Sequence, residues 1–153
     1  MNAASRLNLS TIDLCPWDKE RYVALVFEHQ VSVRWRDTDA LGHVNHVVFL
    51  TYLEEARDAF YGQVLGADPT YVVVHLEIDM RAEVRHEDRQ VIVEVAVERL
   101  VTTSLTTRET IRTSLGQVVA EARVVTVRFD PVNRRPVPFS AAERELLATP
   151  ATG

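Results

Sequence analysis

Two carboxylates and two imidazoles, Asp37, Asp39, His43 and His46, fall within a short stretch of the chain, VRWRDTDALGHVNH. A carboxylate near neutral pH can act as a base or a nucleophile, and an imidazole can accept, hold or return a proton. Immediately after them the apolar positions Leu50, Leu53, Ala56, Phe60 and Val64 recur at three- or four-residue steps. This period predicts a helix that begins close to Asn45, a good N-cap type. The first N–H groups of such a helix have no partner within it and favour developing negative charge. A base beside an oxyanion site is the minimum equipment of a hydrolase.

The elements that must hold these groups can be read from the alternation around them. Before the turn, Val31, Val33 and Trp35 alternate with Ser32, Arg34 and Arg36, as in a strand with one buried face. After the helix, which should end near Gly66, four more strands follow. Tyr71 to Arg81 places Val72, Val74, Leu76, Ile78 and Met80 on one face, and Val91 to Arg99 does the same with Val91, Val93, Val95 and Val97. Ser104 to Thr113 puts Leu105, Thr107, Glu109 and Ile111 on one side, and Gln117 to Phe129 is apolar on both faces for part of its length. Asp130, Pro131, Asn133 and Pro136 break the sheet before a short closing helix over Ala141 to Leu147. One long apolar helix among alternating strands implies an antiparallel sheet curled around that helix, an α+β arrangement. Residues 1–27 are expected to be an N-terminal extension, whose segment Pro16 to Phe27 suits a helix or an edge strand equally, and residues 28–148 a single domain.

Composition narrows the partners. A chain of 153 residues that is 46% hydrophobic can build one core. Its net charge of -5 argues against nucleic acid, which would want a basic face. No apolar run approaches membrane-spanning length. The lone Cys15 cannot form an internal disulfide, and the N-terminus lacks the pattern of a signal peptide, so the cytoplasm is the expected compartment. The four acids and imidazoles are metal-ligand types, but their spacing matches no strong zinc signature, and neither a metal nor another cofactor is expected.

Strand, DTDALGHVNH turn, a helix carrying Tyr52, Glu54 and Arg57, and four strands closing on RFDPVNRRPVP together resemble the hot-dog fold. The resemblance is specifically to 4-hydroxybenzoyl-CoA thioesterases and their bacterial acyl-CoA thioesterase relatives, and it runs from about Glu28 to Phe139. It implies a sheet of five or six strands wrapped around one long central helix, and a hydrolase that cleaves an acyl-CoA or acyl carrier protein thioester. It implies that Asp39 is the catalytic carboxylate, as general base or nucleophile, and that a backbone N–H at about His46 or Val47 polarises the thioester carbonyl. In the more distant plant acyl carrier protein thioesterases, which resemble this turn as well, the catalytic Asp and His fall on Asp39 and His43. The family also implies a homodimer with shared sites, often stacked into a dimer of dimers.

Each position has a plainer reading beside the functional one. Asp39 can accept backbone N–H bonds in its own turn, and Asp37 is most simply a turn-stabilising acid. His43 can assist as a second base, protonate the departing thiolate, orient a water, or merely brace the turn; Asn45 is a cap first and a water holder second. Glu54 either faces the acyl cavity or pairs with Arg57 three residues on, the ion pair being the simpler choice. Ser104 matches a family residue near the thioester, yet a serine at a strand start is common. The basic cluster that grips coenzyme A phosphates in the benzoyl-type relatives is replaced by Val101, Thr102 and Thr103, so phosphate recognition must differ; Arg85, Arg89, Arg99, Arg134 and Arg135 are candidates. The alternative to an enzyme is a hot-dog module that binds or senses acyl thioesters without turnover. A dehydratase would need another placement of His and acid.

Overall fold

The computed structural model describes residues 25–66 and 70–148, so most of the expected N-terminal extension, including the ambiguous Pro16 segment up to residue 24, lies outside the described residues. The first strand, β1, spans Val26–Ser32, which places Val26 and Phe27 in the sheet. A single helical turn at Trp35–Asp37 follows, then the long helix α1 over His46–Leu65. Strands β2 (Tyr71–Met80), β3 (Gln90–Leu100), β4 (Ser104–Thr113) and β5 (Val118–Asp130) come next, with a two-residue β6 (Arg135–Pro136) and a closing helix α2 (Ala141–Ala148).

The strands pair antiparallel in the order β1-β3-β4-β5-β2, with β6 folded back on β5. This is the curled α+β hot-dog architecture. Register makes one face of the sheet continuous from strand to strand: Val31 pairs with Val91, Val93 with Ile111, Val95 with Glu109, and Glu109 with Ala122. On that face Val91, Val93, Val95, Leu105, Ile111 and Val124 are fully buried against the α1 residues Phe49, Tyr52, Leu53, Ala56 and Phe60. Asn45 caps α1, its side chain accepting from the Val47 N–H at 3.0 Å, and Gly66 ends it at φ 64, a left-handed conformation that glycine adopts without a Cβ clash. Tyr71 ties the start of β2 to the helix, stacking on Tyr61 and donating its hydroxyl hydrogen to Asp58 at 2.6 Å. None of the described helices is long and apolar enough to cross a membrane.

Two expectations from alternation fail for local reasons. Trp35 does not continue the buried face of β1; the chain leaves the sheet at Val33, and Trp35 sits in the helical turn with 78% of its surface exposed. In β2 a bulge lies between Val73 and His75, so Val74 drops out of the pairing and Val73, not Val74, shares the inner face with Leu76 and Ile78. Because β2 is an edge strand, Val72, Val73 and Val74 stay exposed in one chain. The outer face of the sheet is covered by ion pairs that cross between strands, Arg112 with Glu28 and Glu94, Arg123 with Glu98, and Arg81 with Glu121, the last also reaching Asp79 on its own segment.

Candidate active site

The turn between β1 and α1 is laced to its neighbours through the backbone. Val33 N–H donates to Arg89 O at 2.8 Å, Val44 N–H to Val84 O at 2.7 Å, and Asn45 N–H to Asp37 O at 2.9 Å. Isolated bridges Thr38–Val44 and His43–Arg85 complete the lacing. The helix mouth is thereby fixed relative to the acids that precede it.

Within this frame the two aspartates part company. Asp37 is buried, and its Oδ2 accepts from the Arg34 N–H at 2.8 Å and the Tyr52 hydroxyl at 2.7 Å. Burial, reinforced by the hydrogen bond to Asp37, pushes the Tyr52 hydroxyl far above its ordinary range and keeps it a donor. Asp37 therefore clamps strand, turn and helix together and has no open lone pair to spare on that oxygen. Asp39 is half-buried at the tip of the turn. Its Oδ1 accepts from Leu41 N–H at 2.8 Å and more weakly from His43 N–H at 3.4 Å, while Gly42, at φ 81, closes the turn by donating to Asp39 O at 3.1 Å. Oδ2 takes part in none of these bonds. One oxygen anchors the carboxylate in its turn, and no hydrogen bond among the described residues engages the other.

The helix start treats its two candidate amides differently. Val47 N–H is taken by the Asn45 side chain, whereas His46 N–H donates no hydrogen bond among the described residues. Of the two amides expected at the oxyanion position, His46 and Val47, only the His46 N–H is without an acceptor among the described residues, Asn45 acting as the cap on the other. The imidazole of His46 is exposed. His43, half-buried, turns its Nε2 to within 3.4 Å of Glu83 Oε2. The four ligand types of the turn do not converge, Asp37 facing Tyr52, Asp39 its own turn and His43 Glu83. No group of three metal-ligand side chains forms among the described residues.

Two expected site residues stand elsewhere. Glu54 is exposed on α1 and does not pair with Arg57, whose guanidinium lies on the buried face and binds Glu109 of β4 at 2.6 Å. Ser104 does open β4, but its strand reaches the turn end of the sheet only at Thr113, the partner of Val91. At about 3.3 Å per residue that separates Ser104 from the Asp39 end by roughly 30 Å, so one chain does not bring the two together. Of the candidate phosphate binders, Arg85 is engaged by Glu83, and Arg89, Arg99, Arg134 and Arg135 are exposed.

Glu83 went unnoticed in the sequence. It lies between β2 and β3, with the buried Ala82 and Val84 on either side, and its own side chain is only 7% exposed. The signal was the alternation Ala82-Glu83-Val84-Arg85, which places Glu83 and Arg85 on one face.

The model of the thioesterase-like superfamily matches residues 33–147. Among solved structures, a predicted thioesterase from Bacillus stearothermophilus is 26% identical at a TM-score of 0.73, with 84% of this chain and 100% of that one covered. A thioesterase from Thermus thermophilus, complexed with coenzyme A and Zn, is 32% identical at a TM-score of 0.69, covering 78% of this chain and 95% of that one. A 1,4-dihydroxy-2-naphthoyl-CoA thioesterase from Synechocystis, 19% identical, shares the fold at a TM-score of 0.69 over 80% of this chain and 95% of its own. No curated protein matches the chain by sequence. With the family match spanning the Asp39 turn, the long helix and all the strands that follow, the chain belongs to the thioesterase-like superfamily of hot-dog proteins.

Proposed function

We propose that the protein hydrolyses acyl-CoA thioesters, with Asp39 as the catalytic carboxylate and the His46 N–H as oxyanion donor. The observation that carries this is the pairing, at one rigid turn, of a carboxylate with a free oxygen and a helix-start amide with no acceptor. Sulfur donates poorly into the carbonyl of a thioester, so a base or nucleophile and one or two aimed N–H groups suffice for attack. Asp39 either deprotonates a water or attacks to form a transient anhydride that water then opens. The coenzyme A complex of the 32% identical Thermus thermophilus thioesterase supports CoA as the carrier, ahead of an acyl carrier protein. Glu54 and Ser104 enter this reading as substrate contacts only through a second copy of the chain, and a homodimer is part of the proposal.

The test is Asp39→Ala assayed by thiol release over short, long and aromatic acyl-CoAs, with a carrier-bound control. The expected result is a fall in kcat of at least about a hundredfold. Activity close to wild type would sink the assignment. The competing reading, a binder without turnover, draws on the bonds that Asp39 Oδ1 makes within its turn; tight acyl-CoA binding by a wild-type protein that releases no thiol would favour it.

A further inference from the structure

A carboxylate as enclosed as Glu83 must have charged or hydrogen-bonding partners, because stripping water from it uncompensated is costly. It has two, on opposite oxygens. Arg85 reaches Oε1 with Nε at 2.9 Å and with a terminal nitrogen at 2.8 Å, a forked contact that gives the enclosed carboxylate a cationic partner. Oε2 is left facing His43 Nε2 at 3.4 Å, an ion-pair distance without the alignment of a hydrogen bond, so a small turn of the ring is needed for Nε2–H to reach it. The geometry is imposed by the backbone: the His43–Arg85 bridge and the Val44 N–H bond to Val84 O make the turn a short strand beside residues 83–85. Glu83 is then the diagonal neighbour of His43 on the same face.

We infer that Glu83 is a positioning residue for His43: by accepting the Nε2 hydrogen it selects the tautomer that leaves the Nδ1 lone pair free. The inference rests on the reading of the site as a hydrolase and adds a residue to it. An imidazole has one donor and one acceptor nitrogen when neutral, and whichever hydrogen bond one nitrogen makes decides the role of the other. With Nε2–H directed at Glu83, Nδ1 is the ring nitrogen left to accept a hydrogen from a water or substrate group. Arg85 acts one step further back. Its contact occupies Oε1 and turns Oε2 toward the ring. The same arrangement gives His43 its place as an assistant to Asp39 without making it a second independent base.

The experiment combines kinetics with the ring itself. In Glu83→Ala, kcat should fall about tenfold with KM nearly unchanged, and Glu83→Gln, which keeps an acceptor oxygen, should recover most of the loss. Adding Glu83→Ala to His43→Ala should cost nothing further, since the two act as a unit. Imidazole ¹⁵N shifts, assigned by loss of the signal in His43→Gln, should report the Nε2–H tautomer in the wild-type protein and a mixture in Glu83→Ala. A wild-type His43 in the Nδ1–H form overturns the inference even if no Glu83 variant folds, as does an equal cost of Glu83→Ala with and without His43. The tautomer is read without turnover, so its failure is distinct from failure of the hydrolase assignment, which is decided by Asp39→Ala.

Discussion

Asp37 and Asp39 stand two positions apart and differ in what reaches each oxygen. Asp37 receives a hydroxyl from the fully buried Tyr52, fifteen residues along the chain, together with the Arg34 amide. Replacing Tyr52 by Phe leaves that carboxylate oxygen short of a donor inside the protein, a loss of about 1–3 kcal/mol. Urea unfolding should show it, while kcat in the folded variant changes by no more than a few-fold; a large loss of kcat at unchanged stability would assign Tyr52 to the chemistry instead. In the sequence, Asp37 was legible as a turn acid because Asp accepts local N–H bonds. Its bond to Tyr52 was not, since a helix face gives no sign of which loop residue it will meet. Asp39 was legible through the motif, yet the division of its oxygens between anchor and free acceptor depends on the closing of one turn by Gly42.

Between elements, the contact that most distinguishes α1 from an ordinary amphipathic helix is the ion pair Arg57–Glu109, enclosed between helix and sheet, with Thr107 donating to the other Glu109 oxygen at 2.8 Å. Both halves were visible in the sequence. Arg57 interrupts the apolar stripe of Leu53 and Phe60, and Glu109 alternates with Leu105 and Ile111 on the inner face. Their meeting was hidden because pairing at a separation of 52 residues is set by tertiary packing, whereas Glu54 offered a nearer partner by helical spacing. Burial pushes the Glu109 carboxyl up to about 7, with Arg57 and Thr107 opposing that shift. The folded state thus holds this proton at a pH where the unfolded chain has lost it. The resulting stabilisation is complete below the ordinary carboxylate range near 4.5 and is lost as pH rises toward about 7. Arg57→Met removes the cation and leaves a buried acid. It should cost about 3–5 kcal/mol at pH 8, where Glu109 must ionise or carry the penalty of staying neutral, and clearly less at pH 5, where Glu109 is protonated. Equal costs at the two pH values would refute a titrating Glu109.

At the scale of the molecule, the open sheet has two edges, and β2 exposes one of them with three consecutive valines. A strand that presents unpaired backbone groups and apolar side chains is a template for another strand, and natural proteins cover or charge such edges. The outer face is already occupied by its ion-pair ladder, whose burial between stacked sheets would strip water from several charges. Edge pairing of β2 with its own copy is therefore the cheaper association, and it would also supply the second chain that an Asp39 site needs if Ser104 is to take part. The strands and the length of the helix were readable from alternation and period, but the order of the strands in the sheet was not, since neither pattern says which strand pairs with which, nor was the β2 bulge, because one residue dropped from pairing leaves no mark in a run of four apolar or aromatic side chains from Tyr71 to Val74. Val74→Lys tests the assembly at a position 58% exposed, where a charge costs the isolated fold little. Light scattering should show wild-type dimers and a variant near the 17.3 kDa of one chain, with thiol release from acyl-CoA lost in parallel. A variant that is monomeric and still fully active would place the whole site within one chain and remove the dimer from the mechanism.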